Sequence, residues 1–392
     1  MTVLAARDPK APFVLTPPLM PLERRARGYD VPLALIALAL SLIGAVLVWA
    51  ATRQTQLDAG GNGQSYLYRH LVNIAIAVVL MLGAARLDAR LLRLFGPIVY
   101  LGSLLGLVLV LGIGTTVNGA QAWIRVGGGF ELQPSEFMKL GLIVGMAVLF
   151  TRHDDDSDEA APRTVDVLAA LGLVAVPLAL IMVQPDLGSA MVLGCAVFGL
   201  LVAAGVQARW TVGLLVVGIA LAIISVKAGV LHDYQLARFN SFRNPNHDPL
   251  GAAYNVNQAH IAIANGGLFG KGLFSGPQTN GGFVPEQQTD FIFSVAGEEF
   301  GLVGGGAVIA LFAALCWRGL AIARDADRAG RLVAVGVVCW FAFQTFQNIG
   351  MNLGLTPVTG VPLPFVSYGG SSMFAQGMAL GLLQAVRRRS LC

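Results

Sequence analysis

FIFSVAGEEFGLVGGGAVIALFAALCW, residues 291–317, is the stretch whose reading decides the fold. Its only charges are Glu298 and Glu299, and it ends against Arg318. A helix that crosses a bilayer needs about 20 largely apolar residues, and this run exceeds that. Apolar runs of the same kind recur over 31–51, 71–88, 94–116, 136–151, 164–183, 187–206, 209–229, 331–350 and 370–386. The sequence therefore predicts an all-α polytopic membrane protein of about ten transmembrane helices. Composition agrees. Of 392 residues, 55% are hydrophobic and 12% charged, against about 25% charged in ordinary soluble domains. Mean hydropathy is +0.69. Such a chain cannot cover its surface with polar groups, so lipid is its solvent. The 48 glycines suit close helix contacts in a bilayer.

Basic residues set the expected topology through the positive-inside rule. With the N-terminus in the cytoplasm, Arg7, Lys10, Arg24, Arg25, Arg27, Arg86, Arg90, Arg93, Arg152, Arg163, Arg209, Arg318, Arg324, Arg328, Arg331, Arg387, Arg388 and Arg389 all fall inside. Arg53, Arg69, Arg125, Lys227, Arg238, Arg243 and Lys271 fall outside, and Lys139 lies within a span. Both termini are then expected to be cytoplasmic. Residues 1–28, with Pro9, Pro12, Pro17, Pro18 and Pro21, are expected to form a disordered cytoplasmic tail rather than a signal peptide. Residues 29–392 form a single membrane domain, including a long outer loop over 230–290. A loop of that length has structure or function of its own. The net charge of +4 follows topology and does not indicate nucleic acid. Cys195, Cys316, Cys339 and Cys392 have neither metal-ligand nor disulfide spacing. The acidic run Asp154–Glu159 beside His153 reads as a solvated loop, not a metal site.

Five clusters carry polar chemistry. Gln133-Pro134-Ser135-Glu136 with Lys139 opens the fourth span. Glu136 and Lys139 are three apart and share a helix face, so they pair. That pair is either structural or the wall of a polar cavity where Lys139 meets an anionic head group. Gln184-Pro185-Asp186-Leu187-Gly188 is a tight turn, with Asp186 placed to cap the next helix. The outer loop holds Arg238, Arg243 and, after Gly266-Gly267, Gly270-Lys271-Gly272. This is not a phosphate loop, since Gly272 replaces the required Ser or Thr. A glycine-rich turn beside Lys271 is still able to offer backbone N–H groups to a diphosphate. The stretch from Val284 through Glu286 to Thr289-Asp290-Phe291 enters the span of residues 291–317. Counting about 20 residues outward from Arg318 reaches Glu298, and Asp290 falls roughly 12 Å of helix beyond it, at the outer mouth. Asp290 reads either as an ordinary N-cap or as an acid–base group at that mouth. Residues 354–370, with three prolines and four glycines, cannot form a regular helix and are expected to wall a wet outer cavity.

Taken together and in order, these elements resemble the SEDS family of bacterial shape, elongation, division and sporulation proteins. The resemblance rests on Gln133–Glu136, Gln184–Gly188, Asp248-Pro249, Gly266-Gly267 with Gly270–Gly272, Pro285-Glu286, Thr289–Phe293, Glu298-Glu299, and Pro362–Pro364 through Ser367–Ser372. Within it, Asn348–Met351, Pro357–Phe365 and Gly297–Gly301 are closer to the RodA branch than to FtsW. Gln288 departs from the family, where His commonly precedes the Thr-Asp pair.

The resemblance implies a peptidoglycan glycosyltransferase that polymerises lipid II, the undecaprenyl-diphosphate-linked disaccharide peptide, for cell-wall elongation and cell shape. It makes Asp290 the functional acid, expected here as general base. Lys139, Arg238, Arg243, Lys271 and Glu286 are the expected substrate-binding residues, with the site facing outward. No cofactor is required by the sequence. A Mg or Mn ion bridging the diphosphate fits the chemistry, but the sequence shows no ligand set for one. The implied partner is a class B penicillin-binding protein with transpeptidase activity, beside the membrane lipids. The competing class is a lipid II flippase or transporter without polymerase activity.

Overall fold

The computed structural model describes residues 28–117, 120–127, 130–152, 162–227, 238, 242 and 253–389. Arg243, Asp248-Pro249, the acidic run 154–159 and all but the last residue of the expected tail lie outside the described residues.

Each apolar run of the sequence is a helix. These are α1 (Val31–Asp58), α2 (Ser65–Ala84), α3 (Ala89–Ile113), α4 (Pro134–Phe150), α5 (Thr164–Val183), α6 (Leu187–Ala203), α7 (Ala208–Lys227), α10 (Ile292–Asp325), α11 (Arg328–Asn352) and α12 (Gly370–Arg389). Six of them, α1, α2, α3, α5, α10 and α11, are long and apolar enough by themselves to cross a membrane. The second half of the outer loop carries α8 (Tyr254–Gly266) and the one-turn α9 (Pro277–Asn280).

The burial pattern is that of a protein dissolved in lipid. Val79, Leu105 and Leu302 are each more than half exposed, and so are Val212, Leu215 and Val216 along α7. The polar side chains Gln344, Gln347, Asn348 and Asn352 of α11 are sealed inside instead. α11 is the hub: it packs on α4, α6, α10 and α12, with Trp340 and Phe341 fully buried in the core. At one end of the bundle Asp30 caps α1 through Leu33 N–H at 2.9 Å and pairs with Arg318 of α10. Gln384 of α12 holds both backbone groups of Asp30, so three helices close on one residue.

Two features depart from the sequence expectation. The chain is not purely helical. β1 (Thr115–Val117), β2 (Ala120–Gly127) and β3 (Phe130–Leu132) form a small antiparallel sheet, with Val117 opposite Ala120 and Ile124 opposite Leu132. The second is a break in α10 at Gly301, whose φ is +67°. Helix groups freed by a break must find other partners at membrane depth. Residues 267–272 supply them. Leu302 and Val303 donate N–H to the carbonyls of Gly267 and Leu268, while Lys271 and Gly272 donate to Glu298 and Glu299. The chains are so close that a Cβ at Gly270 would stand 2.0 Å from the Glu299 carbonyl oxygen. The glycine-rich turn is therefore a structural splint. Its N–H groups at 271 and 272 are already used, which removes the diphosphate loop considered above.

Candidate active site

A cavity of about 390 Å³ opens inside the bundle. It is walled by α2, the sheet, the head of α4, the turn before α6, the 286–290 turn, and the irregular segment 357–370. Of the residues expected to act, Asp290, Glu286, Lys139 and Arg238 all line it. Lys271 does not: it is exposed, away from the lining, on the splint at the break in α10. Glu298 and Glu299 are fully buried in α10. Glu298 accepts from Thr279 N–H at 2.8 Å, Thr279 Oγ1 at 2.6 Å and Gln278 N–H at 2.9 Å, and thereby docks α9.

Asp290 is not a helix cap. α10 begins after Phe291, and its first-turn N–H at Ser294 is taken by Asn352 Oδ1 at 3.1 Å. With the capping position filled from α11, the Asp290 carboxylate is left to face the cavity. Nor does the residue stand outward on an extended helix, because 286–291 fold back as turns. The backbone that carries it is held at nearly every carbonyl. Glu286 C=O accepts from the N–H of Thr289, Asp290 and Phe291. Gln288 C=O accepts from Tyr368 N–H at 2.8 Å, and Thr289 C=O from Ser367 Oγ at 2.5 Å. Asp290 C=O accepts from Asn348 Nδ2 at 2.8 Å and Asn352 Nδ2 at 3.2 Å. Asn348 Nδ2 also binds Val361 C=O at 2.7 Å, joining the Asp290 turn to the opposite cavity wall. On that wall a Cβ at Gly360 would lie 3.5 Å from Asp290 Oδ2. The main chain that carries the acid is thus held by the protein itself, as electrostatic preorganisation requires.

Asn348→Leu tests this clamp. It leaves the Val361 carbonyl without a partner, at a cost of about 1–3 kcal/mol, and the Asp290 carbonyl with only its longer bond from Asn352. A lowered melting temperature with a larger proportional loss of turnover is expected. A thermal melt and a rate like those of the wild type would show that the clamp is dispensable.

The electrostatics favour a base near neutrality. Burial, reinforced by the Glu286 carboxylate and more weakly by Asp186, pushes Asp290 up to about 7, and Arg238 opposes them. The side chain is half-buried rather than sealed, since one face opens on the cavity.

Glu136 and Lys139 form a buried pair at 2.6 Å in the lining. Lys139 Nζ also donates to Gln344 Oε1 at 3.3 Å and lies 4.8 Å from the Trp340 ring centroid. The two readings of this pair are therefore not exclusive. The same holds for Asp186, which caps α6 at Ser189 N–H (2.9 Å), accepts from Gln133 Nε2 (3.0 Å), and lines the cavity. Tyr368 also lines it, as expected of segment 354–370, and so do Tyr66 and Arg69, which were not expected as site residues. The only signal for those two is position, since they open α2. Among the described residues no group of three or more His, Cys, Asp or Glu side chains is placed to hold a metal ion.

An apolar exterior around a recessed acid and several cations defines a multi-pass membrane protein with a polar cavity inside its bundle. Residues 31–391 match the model of the cell cycle protein family FtsW/RodA/SpoVE. The chain is 37% identical to the "Probable peptidoglycan glycosyltransferase FtsW" of Geobacter metallireducens, over 92% of this chain and 95% of that protein. A chain of a solved structure described as "Structural coordination of polymerization and crosslinking by a peptidoglycan synthase complex" superposes with a TM-score of 0.74. It is 30% identical, covering 92% of this chain and 98% of that one. The crystal structure of the Thermus thermophilus rod shape determining protein RodA superposes with a TM-score of 0.67 at 30% identity, covering 92% and 97%. The protein belongs to the FtsW/RodA/SpoVE family. Its similarities fall on both the FtsW and RodA branches, so they do not choose between them.

Proposed function

We propose that this chain is a peptidoglycan glycosyltransferase that polymerises lipid II into glycan strands, with Asp290 as the general base. The observation that carries this reading is a carboxylate on a clamped main-chain turn, facing a cavity that also contains Arg69, Lys139 and Arg238. Chain growth joins the 4-hydroxyl of one sugar to C1 of another. Asp290 takes the hydroxyl proton as the oxygen attacks C1. The C1–O bond to undecaprenyl diphosphate breaks, and the diphosphate leaves with the electron pair. Inversion at C1 requires the base on the face opposite the leaving group. A diphosphate leaves without a general acid when cations stabilise its charge, which is the task given to Arg238, Lys139 and Arg69. The charge asymmetry of the loops supports a cavity facing away from the cytoplasm, where a lipid-linked sugar is polymerised. A transpeptidase of the class B penicillin-binding type is the proposed partner, supported by the likeness to a chain of a peptidoglycan synthase complex.

The test is polymerisation of lipid II by the purified chain, alone and with such a partner, read as a glycan ladder on a gel. Flipping of lipid II in proteoliposomes with no polymer under either condition would sink the proposal. The pH profile is a second check. Only the deprotonated Asp290 serves as base, so the rate falls as pH drops through about 7. Between pH 8 and pH 6 a roughly tenfold loss is expected. A flat profile down to pH 5.5 excludes a base of that strength.

A further inference from the structure

Glu286 occupies a position that a side chain makes difficult. Its φ is +54°, in the left-handed region that glycine enters freely and other residues enter at a cost. Its neighbours prevent relaxation. Gln287 Nε2 donates to Ala51 C=O at 2.6 Å and Thr279 C=O at 3.1 Å, tying the turn to α1 and α9. The strained residue organises the turn that follows. Its carbonyl collects the N–H groups of Thr289 (3.1 Å), Asp290 (3.1 Å) and Phe291 (3.2 Å). Its carboxylate Oε2 accepts from Thr289 Oγ1 at 3.1 Å and Gln288 Nε2 at 3.4 Å. Glu286 also lines both the main cavity and a neighbouring one of about 200 Å³, so it stands in the partition between them.

We propose that Glu286 is a positioning residue for Asp290, acting through two separable parts: a left-handed backbone that shapes the turn, and a negative charge held beside the acid. This rests on the reading of Asp290 as the base. A glycine alone would satisfy the backbone; the glutamate adds a carboxylate whose hydrogen bonds aim it along the 288–290 turn. The other charged groups facing Asp290 are Asp186, from the turn before α6, and Arg238. Arg69, Glu136 and Lys139 share the same cavity. Glu286 is the strongest charged influence among them and acts to raise Asp290's proton affinity.

The two parts separate by mutation of the full-length chain. Glu286→Gln keeps the size and one acceptor oxygen but removes the charge. Its acid limb moves to lower pH by about one unit, since a nearby like charge no longer opposes ionisation. Its plateau rate drops roughly severalfold, since a weaker base abstracts the hydroxyl proton less well. The change falls on kcat rather than KM. Glu286→Gly relieves the backbone and therefore melts above Glu286→Ala, and both show the same shift of the acid limb. An unchanged acid limb in Glu286→Gln or in Glu286→Gly overturns the charge role. Glu286→Ala melting at or above Glu286→Gly overturns the backbone role. Asp290→Asn, assayed in parallel, separates the two claims: full activity there rejects the base itself, whatever Glu286 does.

Discussion

Asp290→Asn abolishes polymerisation of lipid II while leaving the protein folded. The two side chains have the same shape, and among the described residues no hydrogen bond to the Asp290 carboxylate is present, so the change strands no partner. Removing the charge is no burden on the fold either, because burial and the neighbouring Glu286 and Asp186 already disfavour the ion. The clamp on its main chain, from Asn348, Asn352, Ser367 and Tyr368, does not involve the side chain. What is lost is proton abstraction from the acceptor hydroxyl, worth about 10²- to 10⁴-fold in rate. The measurements are a thermal melt, expected to match the wild type, and a gel of glycan products, expected to be empty. A variant that folds and polymerises at the normal rate removes Asp290 from the mechanism.

The largest effect on stability is expected at Lys139. Lys139 and Glu136 have side chains only 1% and 3% exposed, and Glu136 Oε2 has no other partner. Lys139→Met leaves that carboxylate buried and unpaired, at a cost of about 3–5 kcal/mol. Gln344 does not compensate, because its Oε1 already accepts from Trp340 Nε1 at 2.6 Å and its Nε2 is committed to Pro362 C=O at 2.8 Å. Adding Glu136→Leu removes the stranded charge as well, and an apolar pair of similar volume recovers most of the stability. Substrate affinity is not recovered, since the cavity has still lost a cation. The double mutant thus separates the structural half of the pair from its binding half. A Lys139→Met protein that melts with the wild type would show that the pair does not support the fold. A double mutant that binds lipid II normally would return Lys139 to a purely structural role.

The site was legible in part. An acid just ahead of a spanning helix reads first as a cap, and only the family resemblance favours a base; the structure gives the first-turn bond at Ser294 to Asn352 instead. The three-residue spacing of Glu136 and Lys139 announced their pairing, since a helix places such residues on one face. The sheet was missed although a signal was present. Asn118-Gly119 is a two-residue hairpin sequence, and Ala120–Val126 follows it with strand-like residues. Lys271 lies away from the cavity lining because its glycine-rich surroundings serve a helix break that no local pattern reveals.

By itself the sequence determined the membrane helices, their order and the few polar groups set among them, because a bilayer forces apolar runs of fixed length and leaves intramembrane charges few and conspicuous. Tertiary structure alone decided which polar groups share one cavity. Asp290 on the 286–290 turn, Asp186 before α6, Arg69 on α2 and Tyr368 before α12 are separated by tens to hundreds of residues. Their meeting depends on how kinked helices and non-helical segments satisfy each other's backbone groups, a long-range condition that no window of sequence contains.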